Sequence, residues 1–148
     1  VLLTLQVQLM GRTVEHLKHV PQGSDGEKNI EDLAQAYVDF ALVNRRMWNL
    51  FLAHSLPPGK TVPAPFFDYT TTLAQIVKDS LAQVAPKLPT EDIDTTARAF
   101  LAGLNGICAL AATEKGVYIT PATAQTYAKE LTSTFLKGLR CRSVHATA

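Results

Sequence analysis

Apolar side chains recur every three to four residues along almost the whole chain, and this period constrains the fold more than any other feature. It matches the 3.6-residue turn of an α-helix, so each stretch that carries it predicts a helix with one apolar side. Only residues 117–119 resemble a strand, and three residues between helices are better described as a loop. The pattern therefore predicts an all-α fold. Within residues 1–20 the apolar side is predicted to carry Leu2, Leu5, Leu9, Thr13, His16, Leu17 and Val20.

Proline, glycine and polar residues divide the periodic stretches into separate helices. Pro21 and the polar residues 22–26 end the first predicted helix. Asn29 is the predicted cap of the second helix, and Asn44 is the predicted cap of a third, short one. Residues 56–60 form a predicted exposed loop, because two adjacent prolines cannot continue a helix.

The second half of the chain contains three further predicted helices. Pro65 lies in the first turn of the fourth, Thr90 caps a fifth that ends near Thr113, and Thr120 with Pro121 marks the start of the last. About six helices are expected in all, and residues 1–148 suit a single domain. The inward positions of the last helix are Tyr127, Leu131, Phe135 and Leu139.

Composition and charge exclude several classes of protein. The chain has 148 residues, of which 47% are apolar, and this is enough to build a core of its own and too many for a disordered chain. Its net charge of +1 gives no general footprint for nucleic acid. Cys108 and Cys141 are too few for a disulfide-stapled scaffold, so a reducing compartment, the cytoplasm, is expected. Cys108 is expected to be a small buried apolar residue.

No membrane segment is predicted. The most apolar stretch, residues 97–112, contains Arg98 and Asn105 and is shorter than the ~20 residues that a bilayer requires. The first twenty residues lack the charged region and the cleavage site of a secretory signal. They also lack an initiator methionine and a helix cap, so we expect that further sequence precedes Val1.

The fifth predicted helix needs neighbours on several sides. Residues 100–110 are apolar nearly all round. Ala99 with Gly103, and Ala102 with Gly106, place small residues one turn apart, where another backbone can approach closely. The partner helix is supplied either by the same chain or by a second copy, and periodicity does not distinguish the two.

The middle of the chain resembles the ligand-binding domain of TetR-family transcriptional repressors. Residues 37–59 read as an apolar helix, a capped short helix, a histidine and a Pro-Gly loop, as in many members. The fifth helix is similar to that of a subgroup with the signature Trp-(x)3-His-Gly, although Leu101 and Asn105 replace the Trp and the His and only Gly106 is retained. Residues 135–139 are similar to the usual ending of the family.

The resemblance implies a homodimer that responds to a small molecule. Its two C-terminal helices would form a four-helix interface with the partner. An effector bound between the middle helices would shift the first helix and so the spacing of a helix-turn-helix domain on its N-terminal side, which would contact operator DNA. The interface positions would be Ala99, Gly103, Gly106, Tyr127, Leu131 and Phe135.

Aromatic residues near the Pro-rich loop are candidates for the effector site. They are either core residues or the wall of a pocket, which also needs apolar groups. Asn105 is the sharper candidate, because an amide in an apolar helix needs a partner in the dimer, in a neighbouring helix or in a cavity. The effector is expected to be small and largely apolar. The candidate ligand-binding residues are Trp48, Phe51, Phe67, Tyr69, Phe100 and Asn105.

The motifs of catalysis are missing from the sequence. It contains no Gly-rich phosphate loop, no Gly-x-Ser-x-Gly and no Cys-x-x-Cys. His16 and His19 share a helix face, but no further ligand at suitable spacing supports a metal site. We therefore expect no cofactor, no metal and no enzymatic activity. The alternative to a regulator is a stand-alone helical carrier or adaptor that does not bind DNA.

Overall fold

Six α-helices form the protein. The computed structural model describes residues 2–53, 58–113 and 117–145, with the backbone alone for Leu2 and residues 51–53. Within these ranges there is no strand. The prediction of an all-α fold with about six helices is confirmed. The helices are α1 (Leu2–Lys18), α2 (Gly26–Val43), α3 (Arg45–Ala53), α4 (Ala64–Val84), α5 (Thr90–Thr113) and α6 (Ala124–His145).

The start of α2 differs from the prediction. Asp25, and not Asn29, is the N-cap, and its carboxylate accepts the backbone N–H groups two and three residues further on at 3.1 and 3.2 Å. Asn29 is buried within the helix, where its side chain exchanges two hydrogen bonds with the backbone of Gly23 at 2.8 and 2.9 Å. Gly26 brings the first turn against α4, since a Cβ there would lie 2.8 Å from the carbonyl oxygen of Ser80.

The starts of α5 and α6 also shift. Thr90 is the first residue of α5 and not its cap, because the carbonyl of Pro89 already accepts a helical N–H at 3.1 Å. Helix α6 begins at Ala124 and not at Thr120 with Pro121. The hydroxyl of Thr123 accepts the N–H of Thr120 at 2.9 Å, which holds these residues in a turn before the helix.

The junctions around α3 and α4 follow the prediction. Asn44 separates α2 from α3. Its side-chain amide donates to the carbonyl of Phe40 at 2.8 Å, and its own carbonyl accepts the N–H of Trp48 at 3.0 Å. Helix α4 follows Pro63 and has Pro65 in its first turn, where a missing N–H costs no helical hydrogen bond.

Helix α5 lies in the core and contacts α2, α3, α4 and α6. Phe100 is fully buried, and its ring centroid lies 5.1 Å from that of Phe135 on α6. Cys108 is fully buried, as predicted. By length and composition α5 is also the one described helix that could cross a membrane, but its four helical neighbours identify it as a core helix. The prediction of a helix surrounded on several sides is confirmed.

The two glycines of α5 have different surroundings. A Cβ on Gly103 would lie 2.9 Å from Leu131 Cδ2, so α6 of the same chain supplies the close neighbour at this position. A Cβ on Gly106 would meet no described atom within 4 Å. One of the small residues therefore serves packing within the chain, and the other lies on an open surface.

Candidate functional site

A cavity of about 310 Å³ lies between the first five helices. This volume is at the lower end of the range of roughly 300–1,000 Å³ that ligand pockets occupy. Apolar side chains form most of its wall, and a few polar groups interrupt them. The lining residues are Leu9, Met10 and Thr13 from α1, Tyr37 from α2, Trp48 from α3, Phe66, Thr70, Leu73 and Ala74 from α4, and Arg98, Leu101, Ala102 and Asn105 from α5.

Two aromatic side chains form one wall of the cavity. Trp48 is only 2% exposed, and its ring meets that of Tyr37 edge-on, with centroids 5.7 Å apart. Edge-to-face packing of this kind stabilises a rigid aromatic surface. The rings meet because α3 follows α2 after a single residue, Asn44, which places the first turn of α3 against the side of α2.

Two polar side chains of the wall, Tyr37 and Asn105, are without a hydrogen-bond partner in the described part of the chain. Tyr37 is 4% exposed, and burial together with neighbouring Cys108 raises the pKa of its hydroxyl, which is therefore neutral. Asn105 lies one helical turn from both Leu101 and Cys108 on α5. Tyr37 is buried and Asn105 is partly buried, so both groups are available to a ligand or to water that enters the cavity.

The other hydroxyl groups of the wall already have partners. Thr13 donates to the carbonyl of Leu9 at 2.8 Å. Thr70 donates to the carbonyl of Phe67 at 2.9 Å. Each bond lies within a single helix, so neither hydroxyl depends on the cavity for a hydrogen-bond acceptor.

Arg98 is the one charged side chain that the described residues contribute to the wall, and it is exposed and already paired. Its Nε lies 3.1 Å from one oxygen of Asp94, and Lys78 Nζ lies 3.2 Å from the other. Hydrogen bonds from Arg98 and then from Lys78 hold the pKa of the Asp94 carboxyl below its usual range. Arg98, Lys78 and Asp94 therefore form one ion-pair cluster that is accessible to solvent.

The structure brings two of the six predicted ligand-binding residues to this cavity, namely Trp48 and Asn105. Phe100 is buried against α6 instead, and Phe67 is 58% exposed. Tyr69 lines a different groove, beside α1. The side chain of Phe51 lies outside the described residues.

Sequence reasoning missed Tyr37 and the contribution of α1. Tyr37 lies among the buried apolar residues of α2, where it is the one residue that carries a hydroxyl group. Leu9 and Thr13 were placed on the inward side of the first helix, but periodicity does not tell which neighbour they meet. The tyrosine hydroxyl among apolar residues of α2 is the sequence feature that could have indicated a polar group in the cavity wall.

The sequence of the chain matches a known family. Residues 30–135, most of the chain, match the family described as tetracyclin repressor-like, C-terminal domain. The chain belongs to this family. No curated protein and no solved structure matches the chain. The tetracyclin repressor-like domain thus spans the region from α2 to α6 that supplies most of the cavity wall.

Outside this cavity, α1 packs on the tetracyclin repressor-like domain through a second groove. A Cβ on Gly11 would lie 3.0 Å from the ring of Tyr69 on α4, so the two helices are close at this point. The guanidinium of Arg12 lies 5.9 Å from the ring centroid of Phe40, and the ring of His16 lies 5.1 Å from it. These contacts connect the position of α1 to α2 and α4.

The predicted interface residues divide into two groups. Gly103, Leu131 and Phe135 make packing contacts within the chain. Ala99 and Gly106 are exposed on α5, and Tyr127 is 37% exposed on α6, with its ring 5.8 Å from that of Tyr118. With Ala102 and Leu110 of α5, the exposed residues form a surface of small and apolar groups, which we call the α5–α6 face: Ala99, Ala102, Gly106, Leu110 and Tyr127.

The histidines of α1 are not gathered into a metal site. No group of three or more His, Cys, Asp or Glu side chains suited to a metal occurs among the described residues. The ring of His16 packs on Phe40, and Nδ1 of His19 lies 2.6 Å from the carbonyl oxygen of Glu15 on its own helix.

Proposed function

We propose that the chain is the effector-binding and dimerisation domain of a TetR-like, one-component transcription regulator in the cytoplasm. The observation that carries this proposal is the cavity, because α1 forms part of its wall together with four helices of the tetracyclin repressor-like domain. The wall is largely apolar, which suits a small and largely apolar effector. The role is regulatory and not catalytic.

Binding would act on DNA through α1. Leu9, Met10 and Thr13 line the cavity, so a ligand between them and α5 favours one position of α1 over another. A ligand shifts such an equilibrium only by its difference in affinity for the two positions. We propose that α1 continues into a helix-turn-helix domain, and that the shift changes the spacing of two such domains on operator DNA.

The proposed partner is a second copy of the chain, joined through the α5–α6 face. This face offers small side chains on α5 beside exposed aromatic and aliphatic ones, the kind of surface at which helices approach closely. Two helices from each copy would then form a four-helix interface.

The experiment for the cavity uses Trp48, the one tryptophan of the chain. Its fluorescence is titrated with a panel of uncharged one- and two-ring compounds, with calorimetry for those that respond. We expect at least one compound to bind, and Thr70→Phe to weaken it about tenfold or more, or about 1.4 kcal/mol, because the ring occupies part of the cavity.

The matched control is Thr71→Phe, which adds the same ring to the exposed side of α4. It should leave the affinity unchanged. If no compound binds, or if both variants weaken binding equally, the proposed site is wrong.

The carrier or adaptor alternative requires the same cavity but no DNA. The regulator and the carrier are distinguished by an assay of the full-length protein. Its binding to the DNA upstream of its own gene is measured with and without a compound that binds the cavity. A compound-dependent change in DNA affinity supports the regulator, and a protein that binds the compound but never DNA supports the carrier.

A further inference from the structure

The cavity combines a largely apolar wall with two polar side chains that form no hydrogen bond within the described part of the chain. Tyr37 comes from α2 and Asn105 from α5, and both line the same space. Cys108 lies one turn after Asn105 on α5, and α5 packs against α2, which carries Tyr37. A wholly apolar ligand would leave both groups buried and unsatisfied, which is costly.

The polar groups are neutral and can serve as donors and as acceptors. The amide of Asn105 offers N–H donors and a carbonyl acceptor, and the hydroxyl of Tyr37 offers one donor and an acceptor. A carbonyl or hydroxyl oxygen on a ligand can therefore bond with both, and its own apolar part can occupy the space between Trp48, Leu73 and Leu101.

An ion is a poor match for this interior. Among the described residues of the wall only Arg98 is charged, and it is exposed and bonded to Asp94, which also binds Lys78. Moving an unpaired carboxylate or ammonium from water into an apolar site is expensive. The burial that raises the pKa of Tyr37 above its usual range reflects the same low-dielectric surroundings.

We propose that the effector is an uncharged molecule of one or two rings whose single carbonyl or hydroxyl group hydrogen-bonds to the Tyr37 hydroxyl and the Asn105 amide. This inference rests on the proposed function, because it assigns a ligand class to the same cavity. It extends that function by assigning the cavity a polar end, formed by Tyr37 and Asn105, and an apolar end.

The test uses four compounds with the same phenyl ring and a similar chain. Butylbenzene has no polar group, 4-phenylbutan-2-one is a neutral ketone, 4-phenylbutanoate is an anion and 4-phenylbutylammonium is a cation. Affinities are measured by calorimetry at one salt concentration for the unmodified protein and for Tyr37→Phe and Asn105→Leu. The control is Tyr118→Phe, which removes the same hydroxyl from an exposed tyrosine away from the cavity.

The decisive quantity is the change in ketone affinity relative to butylbenzene. We expect Tyr37→Phe and Asn105→Leu each to weaken the ketone about three- to tenfold, the size of one hydrogen bond, and not to weaken butylbenzene. Tyr118→Phe should change neither. The anion and the cation should each bind at least about tenfold more weakly than the ketone, because neither finds a free counter-charge.

Each other outcome overturns a defined part of the argument. If the variants weaken the ketone and butylbenzene alike, or if an ion binds best, the inference about the ligand class is wrong and the cavity remains an effector site. If none of the four compounds binds although a compound of the wider panel does, the inference is wrong and the proposed function stands; if no compound of either set binds, the proposed function fails as well. Thermal unfolding of each variant shows that it is folded, and Asn105→Leu provides an independent measurement should Tyr37→Phe prove unstable.

Discussion

Tyr37 on α2 and Cys108 on α5 are two buried groups that titrate, and Cys108 contributes to the raised pKa of the Tyr37 hydroxyl. Burial raises the pKa of the Cys108 thiol to about 12. Above about pH 8.5, the ordinary pKa of a thiol, Cys108 is therefore protonated in the folded protein and deprotonated in the unfolded chain. The contribution of Cys108 to stability is complete below that pH and is lost as the pH rises from about 8.5 towards 12.

The two cysteines should differ in reactivity with a thiol–disulfide exchange reagent at pH 8. Cys141 is exposed and should react at once, whereas Cys108 is fully buried and its thiol is protonated, so it should react only after unfolding. The measurement is the number of thiols titrated before and after adding denaturant. Rapid reaction of folded Cys141→Ser would show that Cys108 is accessible and would contradict the structure.

Asp25 and Asn29 stabilise the start of α2 in different ways. Asp25→Ala should lower the free energy of unfolding by about 1 kcal/mol, the value of an N-cap. Asn29→Ala should cost more, about 1–3 kcal/mol, because it leaves the backbone groups of Gly23 without their partners in a partly buried position. Urea unfolding measures both, and exposed Asp68→Ala, expected within about 0.5 kcal/mol of the parent, is the control. A negligible loss for Asp25→Ala would contradict its role as the N-cap and would favour Asn29, the cap position predicted from the sequence.

At the scale of elements, the sequence predicted the helices well and their neighbours poorly. Periodicity and the prolines fix where six helices lie, because these are local properties. The observed helix ends differ from the predicted ones where a particular side-chain hydrogen bond sets the end. At the start of α2, for example, the cap is Asp25 and not Asn29. Phe100 was predicted for the pocket and packs on Phe135 instead, because a periodic pattern gives the inward side of a helix and not the helix that covers it.

The glycines of α5 give a test of the packing between elements. Gly103→Leu should destabilise the fold by about 1–3 kcal/mol, because its side chain would overlap Leu131 of α6. Gly106→Leu should stabilise the isolated chain by up to about 1 kcal/mol, since it improves helix propensity at an open position. Denaturant unfolding at a dilution where the chain is monomeric measures both. Equal losses for the two variants would mean that Gly106 is as tightly packed as Gly103.

At the scale of the whole molecule, the proposed response to an effector requires two copies of the chain. The cavity is formed within one chain, but a change in the spacing of two DNA-binding domains has meaning only in a dimer. The two properties are connected through α5, which lines the cavity with Leu101 and Asn105 and presents Ala99 and Gly106 on its exposed side. A ligand that moves α5 therefore acts on the same helix that we propose forms the dimer.

Native mass spectrometry tests this arrangement directly. We expect a species of twice the 16.1 kDa chain mass at micromolar concentration. Gly106→Leu should raise the dissociation constant of the dimer about tenfold or more, or about 1.4 kcal/mol, because the added side chain holds the facing helices apart. Thr71→Leu, on the exposed side of α4, is the control and should leave the dimer unchanged. A dimer that tolerates Gly106→Leu would place the interface elsewhere on the surface. A chain that is monomeric in every variant would remove the four-helix interface from the mechanism, and since Gly103 and Phe135 already pack within one chain, the fold itself would stand.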